Sequence, residues 1–312
     1  MQPANSGPKA TPAAITADAE LADRLGFDSL QVTDHVVVPL EIASPYPYNA
    51  TGRFAASPDI DYYEPISLIG YLAGRTQRIR LGTSVLIAGY RNPVVTARQL
   101  ASLDQLSGGR IVIGLGAGWM AEEFVALQSP PFEARGTITD EVIQVFRAIW
   151  RDQPASFEGK YFRFPPLGAM PKPAQPGGIP IIVGGNSRPA IRRAARLGDG
   201  WQPFKLPPDE LRPCLAYLRE QVERAGRDLA GFTTSLRLGL RLGTRPLERR
   251  AGEEEEWKTL VGTPDQVLAS LTTYARLGVT EAVFDFRSCS PEETRETLQL
   301  AAEGILSHAA GL

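Results

Sequence analysis

The sequence predicts an α/β barrel of the TIM (β/α)8 type, and three observations carry that expectation. Short β-rich apolar runs alternate with helical segments along the chain, the order of a parallel sheet wrapped by helices. Most of these runs are nearly continuous in hydrophobicity rather than alternating, as strands covered on both faces require. The length of 312 residues allows two average domains, but it also suits one barrel of about 250 residues carrying insertions. The order of the motifs favours a single domain spanning 1–312.

The first helix is expected over Thr16–Leu25, with Gly26 behind it as a C-terminal stop before strand Ser29–Val36. Helix Pro65–Arg75 leads to strand Ile79–Ile87, and helix Pro93–Leu106 leads to strand Arg110–Gly116. Helix Thr137–Trp150 precedes strand Ile179–Val183, and helix Arg188–Leu197 ends at Gly198 before strand Gly200–Phe204. Helix Pro208–Ala225 is followed by strand Thr233–Leu242. Thr263 stands before Pro264, a favourable first helical residue, and Gly278 stops that helix ahead of strand Glu281–Phe286. A final helix is expected over Pro291–Ser307.

Seven strands are visible. An eighth would have to precede Thr16, where the sequence reads MQPANSGPKATP, too polar and too rich in Pro and Gly for a central parallel strand. The first strand is therefore expected to be missing or truncated, unless the natural chain begins upstream of Met1. An open edge beside Ser29–Val36 and a weakened fold would follow.

Two connections exceed ordinary turns. Residues 37–64 hold Tyr46, Tyr48, Phe54, Tyr62 and Tyr63, and residues 151–178 hold Phe157, Tyr161, Phe162 and Phe164. Both are expected at the active-site face as covers; the alternative is a surface excursion packed by its own aromatic rings.

Composition excludes several functions. The net charge is −2, with no basic excess for nucleic acid. Two cysteines and two histidines cannot build a zinc site, so no metal is expected. The longest uncharged run, Pro173–Ser187, is broken by Pro and Gly and cannot span a bilayer. No basic and apolar leader opens the chain, so a cytoplasmic enzyme is the default. The sequon Asn49-Ala50-Thr51 reads as chance, and the acidic run Glu253–Glu256 as a solvated surface.

Four motifs bear on chemistry. Asp34-His35 ends the first visible strand; a polar pair there points to the ligand face, and imidazole can donate, accept or carry a proton. Gly114-Leu115-Gly116-Ala117-Gly118-Trp119 lacks the last glycine of a dinucleotide fingerprint. Its small residues allow a flat ring close to the backbone, with Trp119 and Met120 as walls. Glu122 and Glu123 open the next helix, where a carboxylate is favourable with or without a function. Val183-Gly184-Gly185-Asn186-Ser187 reads as strand, glycine turn and capped helix start, a place for phosphate. Arg188, Arg192 and Arg196 follow at four-residue spacing, with Arg193 beside them. They could bind further anionic groups, although a solvated outer face explains them better. Thr83-Ser84-Val85, by itself, is only a strand with two hydroxyls.

Together LGFDSLQVTDHVVVP (25–39), RTQRIRLGTSVLIAGYRNPVVTARQLASLDQLSGGRIVIGLGAGW (75–119), IPIIVGGNSRPAIRRAARLGDGW (179–201) and LGVTEAVFDF (277–286) resemble the luciferase-like monooxygenase family. The resemblance is greatest to its coenzyme F420-dependent oxidoreductases. It implies a TIM barrel with an insertion, often a homodimer, binding F420 or FMN at the C-terminal ends of the strands. It places Asp34 and His35 against the ring as catalytic candidates, with Thr83, Ser84 and Val85 at a bulge that often carries a cis peptide and backs the ring. Gly116, Gly118, Trp119 and Glu122 would complete the walls, and Val183, Gly184, Gly185 and Ser187 would hold the phosphate region. Where a sugar-phosphate dehydrogenase branch has a catalytic Glu and an Asn, this chain has Trp119 and Glu122, which removes that branch's acid. The activity implied is hydride transfer between F420 and a small apolar or aromatic substrate, the arginine row slightly favouring F420 through its polyglutamate tail. The alternatives are an FMN-dependent monooxygenase using O₂ and a non-catalytic flavin-binding relative.

Overall fold

Capping chemistry sets the helix boundaries in a computed structural model that describes residues 1–312 except 4, 50, 55–56, 252, 254–256, 287–288 and 310–312. The Thr11 hydroxyl accepts from the Ala14 amide and starts α1 (Pro12–Leu25), which Gly26 closes at φ 86° before β1 (Ser29–Val32). The Glu64 carboxylate caps α2 (Pro65–Ala73), leading to β2 (Arg80–Ile87). Asn92 caps α3 (Pro93–Ser107), which precedes β3 (Ile111–Gly116) and the short α4 (Ala121–Ala126). The helix α5 (Arg135–Arg151) is followed by a hairpin of β4 (Ala155–Glu158) and β5 (Arg163–Leu167), then β6 (Ile181–Gly184). Ser187 caps α6 (Arg188–Leu197) ahead of β7 (Gly200–Gln202), and α7 (Pro208–Arg224) precedes the long β8 (Thr233–Leu242). The strand β9 (Thr259–Gly262), α8 (Pro264–Leu277), β10 (Glu281–Asp285) and α9 (Pro291–Ala301) complete the order. A π turn over Ala302–Leu306 follows α9, where a Cβ on Gly304 would stand 2.4 Å from the Pro264 Cβ.

The main sheet is parallel in the order β1-β2-β3-β6-β7-β8-β10, and β9 adds to the far half of β8. Leu30, Leu81, Ile113, Ile181 and Leu236 are fully buried along it, each contributing about 1.5–3 kcal/mol through burial. This is the barrel-type α/β sheet that the alternation predicts, with strand ends within a few residues of expectation.

Among the described residues no named strand precedes α1, but the expected open edge is absent. Met1 and Gln2 lie between β1 and β10. The Gln31 amide donates to the Met1 carbonyl at 2.8 Å and the Gln2 amide to the Phe284 carbonyl at 2.7 Å. Both residues are buried. The segment fills the gap with the backbone of two residues, and the Met1 side chain joins the buried core.

Two elements were not foreseen, β9 and the β4–β5 hairpin inside 151–178, while α4 is the helix that Glu122 and Glu123 were expected to open. Pro165 and Pro166 disguise β5, yet a two-stranded sheet tolerates them because each strand has a free edge. Glu253 also departs from expectation: it is 2% exposed and its carboxylate pairs with Arg241 at 2.6 and 3.0 Å. The rest of that acidic run, Glu254–Glu256, and Ala50 of the sequon lie outside the described residues. Among the described residues no helix is long and apolar enough to cross a membrane.

Candidate active site

Parallel strands deliver all their C-terminal ends to one face, and the residues that leave the strands there surround a cavity of about 1070 Å³. Its floor is polar and buried. Gln202, at the end of β7, accepts from the Ser84 hydroxyl at 2.7 Å and donates to Gln31 at 2.9 Å and Ser235 at 3.1 Å. Ser235 in turn donates to Glu281, which also accepts from Ser29. Every member has a partner, so this network fixes the floor.

One wall is built on β2. The register of β2 against β3 slips between Thr83 and Leu86, and the Ser84–Val85 peptide is cis. The bulge turns the Val85 side chain toward β3 and β6. A Cβ on Gly116 would stand 2.5 Å from Val85 Cγ2, and one on Gly184 would stand 2.6 Å from Val85 Cγ1. These glycines therefore make room for Val85, which lines the cavity as a shelf. Sequence reading assigned Gly116 to the close approach of a ring and Gly184 to a phosphate turn.

Asp34 and His35 leave β1 in different directions. The Arg91 guanidinium grips both oxygens of Asp34 at 2.8 and 2.9 Å, and the Ile87 amide donates to it at 2.8 Å. Burial pushes the Asp34 carboxyl upward, while the Arg91 fork and the Ile87 amide pull the other way. Three N–H donors require the carboxylate. Burial by itself would weaken the Arg91 charge, but the hydrogen bonds and charges of Asp34 and Glu64 outweigh it. Glu64, the α2 cap, accepts from the same guanidinium at 2.8 Å. Arg91 thus ties the ends of β1 and β2 to the start of α2, and Asp34 is an anchor.

His35 lines the cavity and is backed by a residue that the sequence left ambiguous. Its Nδ1 lies 2.7 Å from Glu123 Oε2, while Glu123 Oε1 accepts from the Val36 and Val37 amides at 2.7 and 3.2 Å. Glu123 is fully buried. Of the two carboxylates that open α4, Glu122 was the expected ligand-facing one, yet it does not line the cavity. It accepts from the Ala43 and Ser44 amides at 2.8 and 3.0 Å, pinning the long loop. Consecutive helical residues point about 100° apart, so only one of the pair can face His35.

The pinned loop supplies the aromatic half of the cavity. Tyr46 and Phe54 each meet Trp119 at 5.1 Å, Phe54 meets His35 at 4.9 Å, and Tyr48 meets Phe204 at 5.0 Å. The second long connection covers nothing here: none of 151–178 lines the cavity. The Glu141 carboxylate holds that hairpin against α5 by accepting from the amides of Lys160, Tyr161 and Phe162.

At the opposite end the α6 N-terminus meets the cavity. Gly184, Gly185 and Ser187 line it, together with Gly118, Arg135 and Arg193. Asn186 is locked to Phe204 by bonds of 2.9 and 2.8 Å. Arg135 stacks over Phe132 at 4.1 Å, and among the described residues no carboxylate binds it. Of the arginine cluster on α6, only Arg193 reaches this end, paired with Asp140 and the Gly136 carbonyl. Arg188 and Arg192 turn outward to Tyr217, and Arg196 is exposed, so that row gives no support for an anionic tail.

The expected set is therefore largely gathered in one place. Asp34, His35, Ser84, Val85, Gly116, Gly118, Trp119, Gly184, Gly185 and Ser187 all line the cavity. Thr83 does not: its hydroxyl bonds the Gly114 carbonyl at 2.7 Å between strands. Val183 is buried within β6. Arg135 and Gln202 carry no motif that would have singled them out, and the sequence named Glu123 only as one of two carboxylates opening a helix.

A parallel α/β barrel with a shelf, a histidine and a helix N-terminus around one cavity at its strand ends is the architecture of an oxidoreductase class. The family model of luciferase-like monooxygenases matches residues 1–251. The chain belongs to the luciferase-like monooxygenase family. It is 32% identical to an uncharacterized protein of Mycobacterium tuberculosis (strain H37Rv) over 288 residues, 91% of this chain and 89% of that one. An F420-dependent glucose-6-phosphate dehydrogenase of Nakamurella multipartita is 31% identical over 261 residues, covering 82% of this chain and 71% of the relative. In fold, the chain matches the coenzyme F420-dependent tetrahydromethanopterin reductase of Methanopyrus kandleri with a TM-score of 0.75, at 19% identity and 96% coverage of each chain.

Proposed function

We propose that the chain is an F420-dependent oxidoreductase transferring a hydride between the deazaflavin and a small, neutral, apolar or aromatic substrate. The observation that carries this reading is the shelf: Val85, seated in the space left by Gly116 and Gly184, offers a flat apolar support in the cavity that also holds His35. The residues fit the group. A planar ring suits the shelf, its polar edge suits Ser84 and Gln202, and a phosphate suits the α6 N-terminus with Arg135. The F420-dependent relative at 31% identity supports the same cofactor.

When bound, the deazaflavin supplies or accepts the hydride. Val85 supports the ring, and Tyr46, Phe54 and Trp119 exclude water from the reacting end. His35 holds or moves a proton at Nε2, the ring nitrogen that Glu123 leaves open. Among the described residues the cations lining the cavity are Arg135, Arg193 and Arg237; the last two are paired with Asp140 and Asp285. Among the described residues no further lysine or arginine lines the aromatic half, which favours a neutral substrate over a sugar phosphate.

Titrating the purified protein with F420 and with FMN separately, following thermal unfolding, tests the proposal. F420 at a hundred times its Kd should stabilise by about 2.7 kcal/mol. Stabilisation by FMN with none by F420 would overturn it in favour of a flavin monooxygenase.

A further inference from the structure

We infer that Ser44 and Glu122 are positioning residues that form a releasable clasp. The clasp holds the aromatic strap 38–49 on the cavity, and its opening sets how fast a ligand enters and leaves. The gating of ligand exchange rests on the function proposed above; the clasp itself does not.

The two sides of the clasp complete each other. Met120, at the N-cap of α4, offers no capping side chain. The Ser44 hydroxyl, from the loop, accepts from the Ala121 amide at 3.0 Å instead. In return Glu122 takes the Ala43 and Ser44 amides on one oxygen. This is the reciprocal logic of a capping box, made between residues 78 apart in the chain. Burial raises the Glu122 carboxyl, but its own amide, the Ser44 hydroxyl and the Ala43 and Ser44 amides outweigh it and hold the group below the usual range. The strap is therefore tied to a carboxylate, and charge-assisted bonds are the stronger kind.

Among the described residues, every hydrogen bond that leaves the loop between residues 38 and 49 goes to Ala121 or Glu122. Pro39, Pro45 and Pro47 have no N–H to offer a neighbour and fix φ, so the stretch is stiff yet joins no sheet. Its remaining ties are the ring contacts of Tyr46 with Trp119 and Tyr48 with Phe204. Tyr46 also meets Tyr48 at 5.4 Å, so both rings travel with the clasp.

Burial gives the two carboxylates of α4 different tasks. The bonds of Glu123 lie inside, where losing a partner strands a polar group away from water. Ala43 is exposed, and Ser44 and Glu122 are half-buried, so water replaces each bond as it opens. One helix start thus carries a permanent tie to Val36 and Val37 and a reversible tie further along the same loop. Ser44, Pro45, Tyr46, Pro47 and Tyr48 line the cavity, so a ligand exchanging with solvent on this side passes the strap.

Limited chymotrypsin digestion of the folded protein, followed by mass spectrometry, tests the clasp, because cleavage after Tyr48 needs the strap to lift. Glu122→Ala should speed cleavage of the Tyr48–Asn49 bond roughly 10–100-fold, as expected for two lost hydrogen bonds when cleavage tracks the open population. Ser44→Ala should act in the same direction. Glu122→Gln should stay within a few-fold of the wild type, since its amide oxygen still accepts both N–H groups. Equal cleavage rates in wild type and folded Glu122→Ala overturn the clasp. So does faster cleavage at all sites alike with a lowered unfolding temperature, which would mark a contribution to global stability alone. Stopped-flow fluorescence of F420 binding tests the gating. Glu122→Ala should raise the association and dissociation rates together, by about tenfold, with Kd changed only a few-fold. Unchanged rates, or faster dissociation alone, overturn the gating. No binding of F420 by the wild type overturns the proposed function and the gating with it, and the digestion result still decides the clasp.

Discussion

Asp34 and His35 are adjacent in sequence, but their side chains answer to different partners. His35 is turned to the cavity by Glu123, whereas both oxygens of Asp34 are held by Arg91. The pair Asp34–Arg91 is nearly dry on the carboxylate side, and removing one member of such a pair leaves a buried charge. Arg91→Ala should therefore destabilise the protein by about 3–5 kcal/mol, measured by urea unfolding. Arg91→Lys should recover only part of that, because an ammonium cannot present a two-pronged fork. At this scale the sequence marks residue type and neighbourhood. The Asp-His pair at a strand end was legible; the choice between Glu122 and Glu123 was not, because it depends on which way the first turn of α4 faces.

Among the elements, β2 does most to shape the cavity. Its bulge places Val85 in a space that two other strands leave open by carrying glycine, so three separate segments specify one contact. Gly116→Ala would put a methyl group 2.5 Å from Val85 Cγ2 and should cost about 1–3 kcal/mol by overpacking. Adding Val85→Ala in the same chain should restore most of that loss, and the double-mutant cycle, read by chemical denaturation, should be clearly non-additive. The glycine pattern was visible in the sequence, but its partner was not, since Val85 and Gly184 are far apart along the chain. The arginine row on α6 shows the converse. Its four-residue spacing places Arg188, Arg192 and Arg196 on one face, which the sequence reads as a solvated outer one and which packing against α7 turns away from the cavity. The hairpin in 151–178 was hidden because strand pairing of two short, proline-bearing segments has no periodicity to read.

For the whole molecule, closure between β1 and β10 rests on Met1 and Gln2. Gln2→Pro removes the N–H that reaches the Phe284 carbonyl and should cost roughly 1–3 kcal/mol. Thermal unfolding that is unchanged by this substitution would show that the segment does not bear on closure. The sequence by itself determined the barrel, its element order and the face on which function collects. Hydrophobic runs, caps and helix stops are local signals, and parallel connectivity sends every strand end to the same side. Tertiary structure alone decided that Met1 and Gln2 fill the eighth position and that Val85 occupies the glycine-lined space. It also decided that Glu123, not Glu122, stands behind His35. Each of these depends on the direction of a side chain or a backbone N–H relative to a segment distant in sequence, which no local pattern encodes.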